Sequence, residues 1–202
     1  MRINTVRLRG FLGGLAILLP WIVALLNGGF PASISATYYV PECITPFMGI
    51  LIASSVILMC YKGYDLQDDI ILSLSGLMGL CICLFPTYTS TADYVGTFHL
   101  PVNLSSTLHN VSAIIFFALL SYNSFFLFTK SDGNPTDKKK IRNIIYRICG
   151  VGMIASFSLL LLPDFHIKIW LMETIALFFF GVSFLTKADI FPFLFCDTPY
   201  KD

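Results

Sequence analysis

The chain has 202 residues, 56% of them hydrophobic and only 12% charged, with a formal net charge of +1. About a quarter of a soluble domain's residues are charged, so half that share excludes a surface solvated by water, and no basic run interleaved with aromatics offers a face to nucleic acid. Apolar stretches recur along the chain, and the solvent they fit is lipid.

In chain order, Arg2, Arg7 and Arg9 precede FLGGLAILLPWIVALL, the core of a first span over about 9–28. The alternative is a signal peptide cut near Ala32-Ser33, but Gly10 and Gly14, four apart, form a close-packing pattern expected of a retained helix. Pro20 is expected to kink it. A polar loop with Tyr38, Tyr39 and Glu42 leads to span two (46–62). Residues Lys62 to Asp69 connect it to span three (70–86), which stops at Pro86. The next loop carries Asp93, His99 and Pro101, and Ser105-Ser106-Thr107 reads as the start of span four (108–129). Asp132-Gly133-Asn134-Pro135 has turn chemistry and opens a basic loop that ends at Asn143. Span five (144–162), a tight turn from Pro163 to His166 and span six (167–186) complete an all-α architecture: six transmembrane helices in one compact bundle over 1–202.

Lysine and arginine orient the bundle. With both termini inside, the inner segments hold twelve of the thirteen basic residues, six of them between Lys130 and Arg147, and only Lys168 lies outside. Small residues four apart, Ser75/Gly79 on span three and Gly152/Ser156 on span five, let helix backbones approach. Spans four and six each open on a histidine (His109, His166) and close on Thr-Lys at equal spacing, which suggests duplication. Cys60, Cys81, Cys83 and Cys149 fall in apolar segments, where cysteine acts as a small hydrophobe. Cys43 falls in an outer loop without a loop partner, and no disulfide is expected.

That orientation gathers the three histidines with Glu42, Asp93 and Asp164 on the outer side. Glu173 lies about five residues into span six, roughly 7–8 Å below its outer end. A charge there costs at least ~2.5 kcal/mol and marks function or a partner. His109, placed in the first turn of span four, meets the positive helix end, which favours a neutral ring able to accept a proton or a ligand. The expected site is an outer polar pocket with His109 and Glu173 at its core, catalytic if the protein is an enzyme. Glu42, Tyr38 and Trp170 are further candidate ligand-binding residues. The competing reading is a buried His109–Glu173 pair that only holds two helices in register, and Lys168 is placed to neutralise Asp164 or Glu173.

A zinc set from His99, His109 and Glu42 lacks any HxxxH or HExxH spacing, and a triad of Ser106 or Ser112 with His109 has less support still. Neither metal nor cofactor is expected. On the inner side Asp65, Asp68 and Asp69 open span three, where carboxylates complement the helix dipole, facing Lys138 to Arg142. That basic run enforces topology and touches acidic headgroups. Asn103-Leu-Ser and Asn110-Val-Ser match glycosylation acceptors.

The segments Ile34-Ser35-Ala36-Thr37-Tyr38-Tyr39-Val40-Pro41-Glu42, Tyr61-Lys62-Gly63-Tyr64-Asp65 and Phe85-Pro86-Thr87, with His109 followed by Ala113 and with Glu173, carry a resemblance over spans two to six. In them the chain resembles a family of small six-span bacterial membrane proteins of unassigned function. More distantly it is similar to the Frag/DRAM/Sfk six-span membrane proteins, whose pattern has an Ile-Ser-x-Thr loop ending in Pro-Glu and a later span opening His-x-x-Gly-Ala. Ser112 replaces that glycine here, and Ala36 stands where aspartate is usual. The resemblance implies lipid remodelling or membrane trafficking, and the first of the two families implies a bacterial inner membrane. The leading expectation is a protein that binds a membrane lipid or amphiphile. A lipid-remodelling enzyme acting on esters or amides comes second. A small transporter, channel or subunit of a membrane complex, with a homo-oligomeric or other membrane partner, comes third; few charges and no paired Gly/Pro breaks argue against ion-coupled transport.

Overall fold

The computed structural model describes residues 5–131 and 134–188. Arg2, the Asp132-Gly133 half of the expected turn and Lys201 lie outside the described residues. Six helices follow one another: α1 (Thr5–Leu26), α2 (Pro41–Cys60), α3 (Leu66–Leu84), α4 (Val102–Tyr122), α5 (Asp137–Ala155) and α6 (Lys168–Lys187). All six are long and apolar enough to cross a membrane. A π-helical turn, Asn123–Leu127, extends α4, and a 3-10 segment, Ser156–Leu161, extends α5. Another 3-10 turn, Ser35–Tyr39, precedes α2.

Each helix packs on its neighbours in sequence, and α1 closes the ring against α6. The α1–α6 contact is antiparallel: Arg9 near the start of α1 reaches the Lys187 carbonyl at the end of α6, while Trp21 meets Trp170 at the other end. One end of the bundle therefore holds the loops before α2, α4 and α6, and the other holds Arg9, Lys130 and Lys187. They are called here the histidine end and the lysine end.

Glycine sets the closest helix approaches. A Cβ on Gly13 would lie 2.7 Å from the Gly181 carbonyl oxygen, and one on Gly181 would lie 2.7 Å from that of Gly13. The pattern Gly10/Gly14 does not carry this contact, because nothing lies within 4 Å of a Cβ built on Gly14; the residue one place earlier faces α6. On α3, Gly76 and Gly79 press against Ser55 of α2, and on α5 Gly152 meets the Phe179 ring. Pro20 and Pro46 sit inside α1 and α2, and both helices run on past them. The core between the helices is aromatic, with Phe116, Phe180 and Phe184 buried.

Several boundaries differ from the expected ones, always at polar ends that hydropathy reads as loop. The helix of span four begins at Val102, directly after Pro101, six residues before the expected start; Ser105 donates to the Pro86 carbonyl (2.8 Å) instead of marking a helix start. Span five begins at Asp137, because Thr136 accepts the Lys139 amide (3.2 Å) as an N-cap. The run Lys138 to Arg142 is thus helix, not loop. Before α4 a two-residue hairpin pairs β1 (Tyr94–Val95) with β2 (Leu100–Pro101). Cys43 lies in the first turn of α2, buried, its thiol 3.5 Å from the Val23 carbonyl. His109 sits two turns inside α4 whereas His166 precedes α6, so the two do not occupy equivalent places.

Candidate functional site

Glu173 is one turn inside α6, and its partners come from the loop before α2. Its Oε2 accepts the Ile34 amide (2.5 Å) and its Oε1 accepts the Ser35 hydroxyl (2.8 Å). The carboxyl thus caps the N-terminal edge of the 3-10 turn, where amides lack helical partners. The same loop is fixed again by the Trp170 amide, which donates to the Ala32 carbonyl (3.0 Å), and by Ser33, whose hydroxyl accepts the Ala36 amide (2.9 Å). Lys168 pairs with Asp164, one turn earlier, and leaves Glu173 to the loop.

His109 is buried and anchored to the end of α3. Its Nδ1 lies 2.8 Å from the Phe85 carbonyl oxygen and 3.2 Å from that of Ile82. Carbonyls only accept, so Nδ1 carries the hydrogen and Nε2 is left as the basic nitrogen. The ring satisfies carbonyls that the end of α3 leaves without helical partners. The expected first-turn position, and the helix-end argument built on it, do not hold, because α4 starts seven residues before His109. No hydrogen bond joins His109 to Glu173; each holds a different backbone segment.

The two side chains nevertheless share one space. A cavity of about 360 Å³ at the histidine end is lined by both, together with Ser35, Thr87 and Asn110. The rest of its wall is apolar, with Phe47 and Leu51 of α2, Phe116 and Phe117 of α4, and Leu177 of α6. Three lining residues also reach the exterior: Asn110, Ile114 (57% exposed) and Leu160 (45% exposed). They lie on α4 and on the 3-10 extension of α5, so the mouth opens sideways between those two elements. The loop fixed by Glu173 and the Thr87 segment line the cavity toward the histidine end.

The remaining candidates lie outside this lining. Glu42 is exposed in the first turn of α2. Tyr38 packs edge-on against Tyr39, whose hydroxyl donates to the Thr87 carbonyl (2.6 Å). Burial pushes the Tyr39 phenol above its ordinary value, with the neighbouring Tyr38 adding to it. Trp170 is buried between Trp21 and Phe30, its indole nitrogen without a hydrogen-bond partner. His99 is exposed and stacks on Tyr94, and His166 is exposed in the loop before α6. Among the described residues no three His, Cys, Asp or Glu side chains are placed to hold a metal ion.

At the lysine end the acidic start of α3 is satisfied locally. Asp65 is the N-cap, accepting the Asp68 amide (3.1 Å), and Asp69 accepts the Gly63 amide (2.7 Å). The basic partners are Lys130, 2.8 Å from both Asp65 and Asp68, and Lys62, 3.1 Å from Asp69, not the run from Lys138 to Arg142. The Lys130 hydrogen bond, helped by the Asp68 amide, holds the Asp65 carboxyl below the ordinary carboxylate range.

Asn110, Thr87 and the lateral mouth are features that sequence reasoning missed. Asn110 carried a signal only as a glycosylation match, and nothing in the residue pattern marks where α5 leaves α-helical geometry. No family model, no curated protein and no solved structure matches the chain.

Proposed function

We propose that the protein is an integral membrane protein that binds a single-chain amphiphile in the cavity beneath the loop before α2. The observation that carries this reading is the sideways mouth of a mostly apolar cavity whose few polar groups lie together at the histidine end. Ligand sites of this kind run from about 300 to 1,000 Å³, apolar with a few oriented polar groups. A volume near the lower bound suits one acyl chain and a small head, not a two-chain lipid. The chain enters from the hydrocarbon side between α4 and the end of α5. Its head meets His109 Nε2, Asn110 and Thr87, while the tail lies against Phe117, Leu51 and Leu177.

The distribution of basic residues supports termini in the cytosol, which puts the cavity in the outer leaflet. The resemblance to small bacterial membrane proteins supports an inner membrane. A lipid-remodelling enzyme using His109 and Glu173 together has less support, since both Glu173 oxygens are occupied by the loop and no hydrogen bond couples the pair.

Two variants test the reading by native mass spectrometry of protein extracted in mild detergent. Ala113→Phe fills the cavity from α4 and is expected to lose the co-purified amphiphile. His109→Asn keeps an N–H for the Phe85 carbonyl but lacks Nε2, and is expected to fold and bind at least tenfold more weakly. Unchanged retention in folded Ala113→Phe protein refutes the proposal.

A further inference from the structure

Given a cavity that binds an amphiphile, the chemistry of its polar end selects the head. The lining contains one carboxyl, Glu173, and no lysine or arginine. Among the described residues the one lysine or arginine at the histidine end is Lys168. Its ammonium is already engaged, donating to the Asp164 carboxylate and to the Leu162 carbonyl (3.3 Å). Backbone amides offer no substitute. Free amides at the start of a helical turn hold anions, but at the 3-10 turn before α2 the protein's own carboxyl has that place, accepting the Ile34 amide, and Ser33 accepts the Ala36 amide (2.9 Å).

The polar groups left for a ligand are mainly acceptors. Nδ1 of His109 carries the hydrogen, so Nε2 presents a lone pair, and it has no partner among the described residues. Each Glu173 oxygen takes one bond from the loop and keeps a second lone pair. The Ser35 hydroxyl gives its hydrogen to Glu173, so toward a ligand its oxygen only accepts. Thr87 and Asn110 either donate or accept. An anionic head would enter this space beside a carboxyl and without a cation, and charges withdrawn from water are stable only when paired. A hydroxyl or ammonium head meets the opposite situation. It brings hydrogens to His109, Glu173 and Ser35, and an ammonium also pairs with the carboxyl.

We infer that the cavity takes a single-chain amphiphile whose head donates hydrogen bonds, a hydroxyl or a primary amine, and turns away carboxylate and phosphate heads. The preference rests on the amphiphile-binding reading above and adds the class of head.

The full chain in phosphatidylcholine nanodiscs tests this, with four probes of equal acyl length at equal mole fraction in the bilayer. They are a monoacylglycerol, a long-chain primary amine, a fatty acid, and lysophosphatidic acid, which differs from the monoacylglycerol by its phosphate alone. Native mass spectrometry reads the adduct retained by the protein at pH about 8, where both anions are ionised. The monoacylglycerol, the amine or both are expected to bind, with each anion at least about tenfold weaker. Monoacylglycerol alone assigns a neutral head, the amine alone a cationic head paired with Glu173, and both together a general donor head. Asn110→Lys puts an ammonium at the exposed mouth. It is expected to raise fatty-acid binding at least about tenfold while keeping the monoacylglycerol. Either anion binding the parent as well as the monoacylglycerol does overturns the head preference and leaves amphiphile binding standing. So does an Asn110→Lys protein that still excludes the fatty acid, because shape and not charge then excludes it. Folded protein that retains none of the four refutes amphiphile binding altogether, and the head preference with it.

Discussion

Replacing Glu173 by glutamine and by alanine separates its charge from its role as an anchor for the loop before α2. In the parent, both carboxyl oxygens accept hydrogen bonds, from the Ile34 amide at 2.5 Å and the Ser35 hydroxyl at 2.8 Å. Hydrogen bonds to a charged acceptor contribute about 1.5–3 kcal/mol and neutral ones about 0.5–1.5 kcal/mol. Alanine removes both and leaves the buried Ile34 amide unpaired, while the Ser35 hydroxyl can turn to water in the cavity. The expected cost is about 2–4 kcal/mol, which in a chain of this size lowers Tm by about 5–15 °C. Glutamine keeps an oxygen for Ile34 and an amide N–H that the Ser35 hydroxyl can accept; it loses charge assistance of about 1–2 kcal/mol but also sheds the cost of a buried charge, which offsets the loss. The prediction is a glutamine variant close to the parent and an alanine variant well below both. Intrinsic fluorescence follows the melting well, because Trp170 lies one turn before Glu173 and its amide holds the same loop. An alanine variant that melts within about 2 °C of the parent, or a glutamine variant no better than alanine, refutes the anchoring argument.

Two further predictions concern packing and charge. Gly13→Ala puts a methyl 2.7 Å from the Gly181 carbonyl and is expected to cost about 1–3 kcal/mol as overpacking, whereas Gly14→Ala meets nothing and is neutral or slightly stabilising through helix propensity; equal melting of the two variants would show that α1 and α6 do not cross there. The Asp65 carboxyl is held below the ordinary range by Lys130, so its contribution is complete above pH about 4 and is lost as the pH falls below that. Lys130→Gln should flatten the acid limb of a Tm-against-pH curve between about pH 5 and 2, and a limb as steep as the parent's would remove Lys130 from the account.

The division between what was legible in the residues and what was not follows from the kind of signal each feature leaves. Six helices long and apolar enough to cross a membrane were legible because a hydrocarbon layer demands about 20 apolar residues per crossing and internal pairing of every backbone group. The stop at Pro86 and the acidic start of α3 were legible because proline and an N-cap aspartate act on their own few residues. The early starts of α4 and α5 were not, since Pro101 and Thr136 begin helices in polar sequence that lies beyond the apolar runs.

By itself, then, the sequence determined that this chain is a bundle of six apolar helices and that His109 and Glu173 stand near one end of it. Only the tertiary structure decided what those two side chains hold. Their partners are the carbonyls of Ile82 and Phe85 and the amide of Ile34, backbone groups that every residue carries and that no pattern of side chains can mark. The same holds for the cavity mouth, which depends on where α5 turns into a 3-10 segment, and for the meeting of Arg9 with the end of α6 and of Lys139 and Lys187 on the Tyr146 ring. A linear order records charges and apolar lengths; which faces meet is settled by packing small residues such as Gly13 and Gly181 into contact.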